Sequence, residues 1–91
     1  GVVTVVVHVD LERGEILAGP DVVSRGWVEQ PALRAHELAV ADEVETELLA
    51  ALHDEDNGLD ELERIARRAA GRTVADRTRR RPMIVPVVRE G

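Results

Sequence analysis

The chain has 91 residues, enough for one small domain spanning 1–91, and a chain of this size buries roughly 60–65% of its unfolded surface. Its 44% apolar and 33% charged content reads as soluble and globular, the absence of cysteine excludes disulfides, cysteine–zinc sites and thiol catalysis, and a net charge of −6 opposes nucleic acid overall. With Trp27 as the single aromatic residue, base-stacking RNA modules are excluded, and the valine-rich start has neither the basic flank nor the cleavage site of a signal peptide.

Residues 2–9, VVTVVVHV, are β-branched almost throughout and predict a strand. Asp10 to Glu15 forms a turn in which Gly14 can take positive φ. A returning strand starts at 16–18, is interrupted at Gly19-Pro20 and resumes over Val22-Val23-Ser24 until Gly26 releases it. Pro20 has no N–H, so it belongs at an edge or a bulge. Pro31 opens a helix whose apolar stripe is Leu38, Ala41, Val44, Leu48 and Leu52, running to about residue 53. After the polar break at 54–58, Asn57 is the expected N-cap of a second helix, with Asp60 and Glu61 in its first turn. Its inner stripe is Leu62, Ile65, Ala66 and Ala69; Asp60–Arg64 and Glu63–Arg67 stand at pairing distance along it. Gly71 weakens this helix, which continues to about residue 78 before Pro82 stops it. Residues 83–88, MIVPVV, form the last strand. The order β-β-α-α-β predicts an α+β domain, a three-stranded sheet with both helices on one face.

Chemistry is sparse. Ser24 sits in GPDVVSRGW without a nucleophile elbow, and that stretch is not a phosphate cradle because no helix opens directly after it. Gly14, Gly19, Pro20 and Gly26 are read as structural. His36 and His53 are five turns apart on one helix, and His8 lies alone on a strand, so no histidine pair is spaced to share a metal ion. The carboxylates of 42–47 and 54–56 read as solvated, without EF-hand spacing. Charge is segregated: residues 33–63 hold eleven acids and one arginine, net −10, whereas 64–81 hold eight arginines and one aspartate, net +7. Arg25, Arg77, Arg79, Arg80 and Arg81 are the candidate phosphate or RNA contacts; the competing reading is pairing with the acidic helix. Two helices can cover only one side of a small sheet, so a second, partly apolar side is expected to seek a partner. The residues assigned to that interface are Val2, Thr4, Val6, His8, Ile84 and Val88.

The hairpin VVVHVDLERGEILAGPDVVSRGW, followed after two helices by RTRRRPMIVPVV, resembles the C-terminal domain of ribonuclease J. Gly19-Pro20 with Ser24-Arg25-Gly26, and Thr78 through Arg81-Pro82-Met83-Ile84 to Pro86-Val87, carry the resemblance, with Trp27 where the family usually has Phe. It implies three strands and two helices, in agreement with the pattern. It implies a zinc-dependent parent enzyme of the metallo-β-lactamase and β-CASP type. That enzyme cuts RNA endonucleolytically and degrades it 5′ to 3′, in ribosomal RNA maturation and messenger decay. The H-x-H-x-D-H metal motif of that enzyme is absent here, so the chain is expected to be noncatalytic and to hold no cofactor, the zinc belonging to the parent's catalytic domain. The expected partners are those catalytic domains and further copies of itself, with RNA a further candidate and no membrane; the expected compartment is the cytoplasm.

Overall fold

A computed structural model describes residues 1–26, 32–54 and 56–91. The elements are β1 (Val2–Asp10), β2 (Glu15–Arg25), α1 (Leu33–Leu52), α2 (Leu59–Thr78) and β3 (Met83–Glu90), the α+β order expected from the sequence. The start of α1 at Pro31 and the setting of Trp27 lie outside the described residues.

The sheet order is β2-β1-β3, which places the valine-rich first strand in the centre. β1 and β2 form an antiparallel hairpin; β3 returns after both helices and pairs with β1 in parallel, Val2 opposite Met83 and Val9 opposite Glu90. Gly14 makes the hairpin turn at φ +66°, its N–H donating to Asp10 O at 2.9 Å. The register slips twice along β2, between Val6 and His8 and between His8 and Val9. Gly19 and Pro20 occupy the first slip, two residues facing Val7, which is the arrangement of a β-bulge. Gly19 has φ +84° there, and a side chain on it would place Cβ 2.6 Å from Val6 O, so only glycine fits. The predicted interruption is thus a bulge within one continuous strand rather than a break.

β1 alternates strictly. Val3, Val5, Val7 and Val9 are buried beneath the helices, with Val22 beside them and Val88 from β3. Val40, Val44, Leu48 and Leu52 of α1 and Leu62, Ala66, Ala69, Ala70 and Val74 of α2 close the core from below. α1 lies against β2 and α2 against β3. Leu38 departs from its expected place, at 50% exposure, and Val40 takes the inward position. The i+4 row 40-44-48-52 faces the sheet; Leu38 falls outside that row. Asn57 is a second correction. Gly58 is the N-cap of α2, in extended geometry, while Asn57 Nδ2 donates to Ala51 O at 2.9 Å and so closes the end of α1. Arg64 pairs with Glu61 at 3.2 Å, one residue from the expected Asp60, and Glu63 turns to β3 instead of Arg67.

α2 runs through Gly71 to Thr78 and stops at Arg79, whose left-handed φ of 60° caps the helix by donating its N–H to Ala75 O.

Candidate functional site

Two surfaces stand out, and both follow from the topology. The first is the sheet face that the helices leave uncovered. Cross-strand register lines up Val23, Thr4 and Val85 in one row, Asp21, Val6 and Val87 in the next. Arg25, Val2 and Met83 form the row at one end; Ala18, His8 and Arg89 form the row at the other. Met83 is 66% exposed and Val23 50%, while Val2, Thr4 and Val6 on the central strand are half-buried by their own neighbours. The centre of this face is apolar and its border carries Arg25, Asp21, His8 and Arg89. An apolar middle with a polar rim is the anatomy of a protein–protein contact.

Of the six residues expected on this face, Val2, Thr4, Val6 and His8 lie there. Ile84 and Val88 do not. Parallel register sets Ile84 beside Val3 and Val88 beside Val7, on the helix side, where Val88 is buried and Ile84 packs against the core. Met83, Val85 and Val87 take their place. The strand MIVPVV is apolar on both sides, so its composition carries no sign of which parity faces inward; the partner strand decides.

The second surface is one end of the 40 Å long axis. β2 runs toward this end and β3 starts from it, with Val2 between Arg25 and Met83. α2 also finishes there, so Arg25, distant in sequence from the arginine block of 77–81, is brought to the same end of the molecule. Arg79, Arg80 and Arg81 are exposed. Arg77 is engaged: its Nε donates to His36 Nδ1 at 2.9 Å, tying the last turn of α2 to the first turn of α1. The Arg80 N–H donates to Thr78 Oγ1 at 3.2 Å. Arg72, one turn earlier, lies 2.9 Å from Glu43 and 3.7 Å from Glu47. Part of the basic segment therefore does pair with the acidic helix, as one of the two readings expects. The opposite end of the axis gathers Asp10, Glu12 and Glu15 of the hairpin turn, Asp54 and Asp56 of the interhelical turn, and Glu90. Leu52 at the foot of α1 lies against Gly14, which fixes that turn beside the hairpin.

Gly14, Gly19 and Gly26, read as structural, all have positive φ, and Pro20 is in the bulge of an edge strand. Ser24 has its N–H bound to Glu37 Oε2 at 3.0 Å. A shallow groove of about 420 Å³ between β2 and α1 is lined by Leu17, Leu49 and Glu45 among others, and contains neither a histidine nor a hydroxyl nucleophile. Among the described residues no three of His, Asp and Glu come close enough to hold a metal ion, so the donor set does not fit a zinc centre. Among those residues too, no helix is long and apolar enough to cross a membrane.

A fold of this order, a glycine–proline bulge in the hairpin and an arginine run leading into a parallel last strand all agree with the two sequence blocks that suggested a family. The family model for the ribonuclease J C-terminal domain matches residues 1–91, the whole chain. The chain belongs to that family. Comparison with curated proteins gives no match. In this ribonuclease J C-terminal domain the sequence blocks have physical counterparts: Gly19-Pro20 forms the bulge, and Thr78 through Arg81 forms the helix stop and the arginine end.

Proposed function

We propose that this chain acts as a noncatalytic assembly domain of a ribonuclease J, supporting oligomer formation and full activity of a zinc-dependent parent enzyme that cuts RNA internally and from its 5′ end. The observation that carries the reading is the uncovered sheet face. Val2, Val6, Val23, Val85, Val87 and Met83 lie on one side of a sheet whose other side already holds both helices. Covering such a face removes apolar surface from water at about 25 cal/mol per Å². A second copy, presenting the same patch through a two-fold axis, supplies a matching apolar centre.

Sedimentation of the 91-residue chain over a range of concentrations tests this, wild type against Val6→Glu. Val6 is half-buried in the middle of the face, so the substitution places a charge at the contact while leaving the core untouched. The expected outcome is a mass that rises with concentration for the wild type and a monomer for Val6→Glu. Monomers in both cases at every concentration refute self-assembly.

A second reading, RNA contact, is favoured by the placement of Arg25 and of Arg79, Arg80 and Arg81 at the same end of the sheet. Sequence-independent phosphate binding needs only such a cationic surface, and it is screened by salt.

A further inference from the structure

The two outer strands of the sheet are guarded in the same way, and nothing in the assembly reading requires it. An exposed edge strand presents N–H groups at every second residue and invites a strand from another chain to pair with it. On β3, Met83 N–H donates to Gly1 O and Gly91 N–H to Val9 O, so the odd positions point into the sheet. Positions 84, 86, 88 and 90 point outward. Position 86 is proline and has no donor to offer. The Val88 N–H reaches Glu63 Oε2 of α2 at 3.4 Å.

β2 repeats the pattern on the other side. Its Ser24 N–H points away from β1 and donates to Glu37 Oε2 of α1 at 3.0 Å. The other carboxylate oxygen of Glu37 lies 3.3 Å from Arg34 Nη1, and the side chain is only 14% exposed, so it is held in place. Pro20 removes a further donor from the same strand, inside a bulge that bends the edge. Each helix thus lies under one edge strand and sends up one glutamate to occupy one of its outward amides, Ser24 on β2 and Val88 on β3. Each edge also carries one proline. A glutamate that only served solubility would point to water.

We propose that Glu37 and Glu63 are edge plugs that close both sides of the sheet to strand addition by a second copy of this chain. Partners are thereby confined to the open face. Removing either carboxylate, with the proline left in place, adds one outward donor to those the edge already presents and lets that edge pair antiparallel with its twin. An edge pairing with its own copy closes after two chains, because the contact is two-fold.

The test is made in the Val6→Glu background, so that face contacts do not obscure the result. Glu37→Ala, Glu63→Ala and the double variant are followed by sedimentation and by amide exchange. Each single variant is expected to double the monomer mass at high concentration, and the double variant, with two open edges, to form longer series. Glu37→Gln keeps an oxygen acceptor for Ser24 and is expected to stay monomeric. In the Glu37→Ala monomer at low concentration the Ser24 amide is expected to exchange faster than in the parent. Single variants that keep the folded circular-dichroism signal and remain monomeric at every concentration overturn the proposal, as does a Glu37→Gln variant that associates as strongly as Glu37→Ala. If the double variant fails to fold, the single variants decide alone. Failure of the assembly reading shows differently, as a wild-type chain whose mass Val6→Glu does not change.

Discussion

Glycine-to-alanine substitution at two positions has opposite expected signs, and the structure gives the size of each. At Gly19 the backbone sits at φ +84°, where a residue with a Cβ costs about 1–2 kcal/mol. The new Cβ would stand 2.6 Å from Val6 O and 3.0 Å from the Asp21 nitrogen, both backbone atoms of the sheet that cannot swing aside. Relieving such an overlap costs about 1–3 kcal/mol more. The total, about 2–5 kcal/mol, is a large share of the roughly 5–13 kcal/mol that holds a domain of this length together. At Gly71 the geometry is ordinary helix, and the built Cβ meets Ile84 Cγ1 at 3.9 Å, a normal contact. Alanine there gains about 0.8–1 kcal/mol of helix propensity. Thermal unfolding followed by circular dichroism reads both, at about 4–8 °C per kcal/mol for a domain this small. Gly19→Ala is expected to lower Tm by about 10 °C or more and Gly71→Ala to raise it by a few degrees. A Gly19→Ala protein within about 0.5 kcal/mol of wild type would refute the steric argument, and a Gly71→Ala protein less stable than wild type would refute the account of α2.

Leu48→Ala, deleting a fully buried side chain, is expected to cost about 2–5 kcal/mol in urea unfolding, whereas Leu38→Ala, at a half-exposed position, costs under about 1 kcal/mol. Equal losses at the two leucines contradict the inward row 40-44-48-52. For the RNA reading, the wild-type chain is expected to bind single-stranded RNA with an affinity that falls steeply with salt, and changing Arg79, Arg80 and Arg81 together to Gln flattens the log–log slope by about 2. Filter binding at low ionic strength measures this; no binding by the wild-type chain removes that reading.

Much of the fold is legible in the sequence because each element is signalled by a local rule. The β-branched run of 2–9 has no helical competitor, Gly14 and Gly19 mark the places where the backbone turns over, and the polar stretch of 54–58 separates two helices. What local rules miss is set by partners. α1 is rich in Ala, Leu and Val on several sides, so both Leu38 and Val40 fit an apolar stripe, and only the sheet above chooses Val40. Asn57 has the side chain of a helix start, yet the carbonyl of Ala51 competes for it successfully. The side on which Ile84 and Val88 fall depends on a parallel register with a strand some eighty residues earlier, which no spacing reveals. The arginine end is half visible, as a block of charge at 77–81, but the placement of Arg25 at the same end is a product of topology. Glu37 and Glu63 were hidden for a plainer reason: a glutamate bound to an edge amide and one bathed in water look alike in a sequence.

The parallel pairing of the first strand with the last has a mechanical side. β1 starts at one end of the long axis and β3 finishes at the other, so tension applied through Gly1 and Gly91 drags the two strands past each other lengthwise. Their hydrogen bonds lie across the direction of pull and share the force at once, all the way from Val2 to Val9, instead of parting one after another as they would in a peeled hairpin. A domain tied in this manner resists stretching far better than its thermodynamic stability alone suggests, because forced rupture is governed by the unfolding rate.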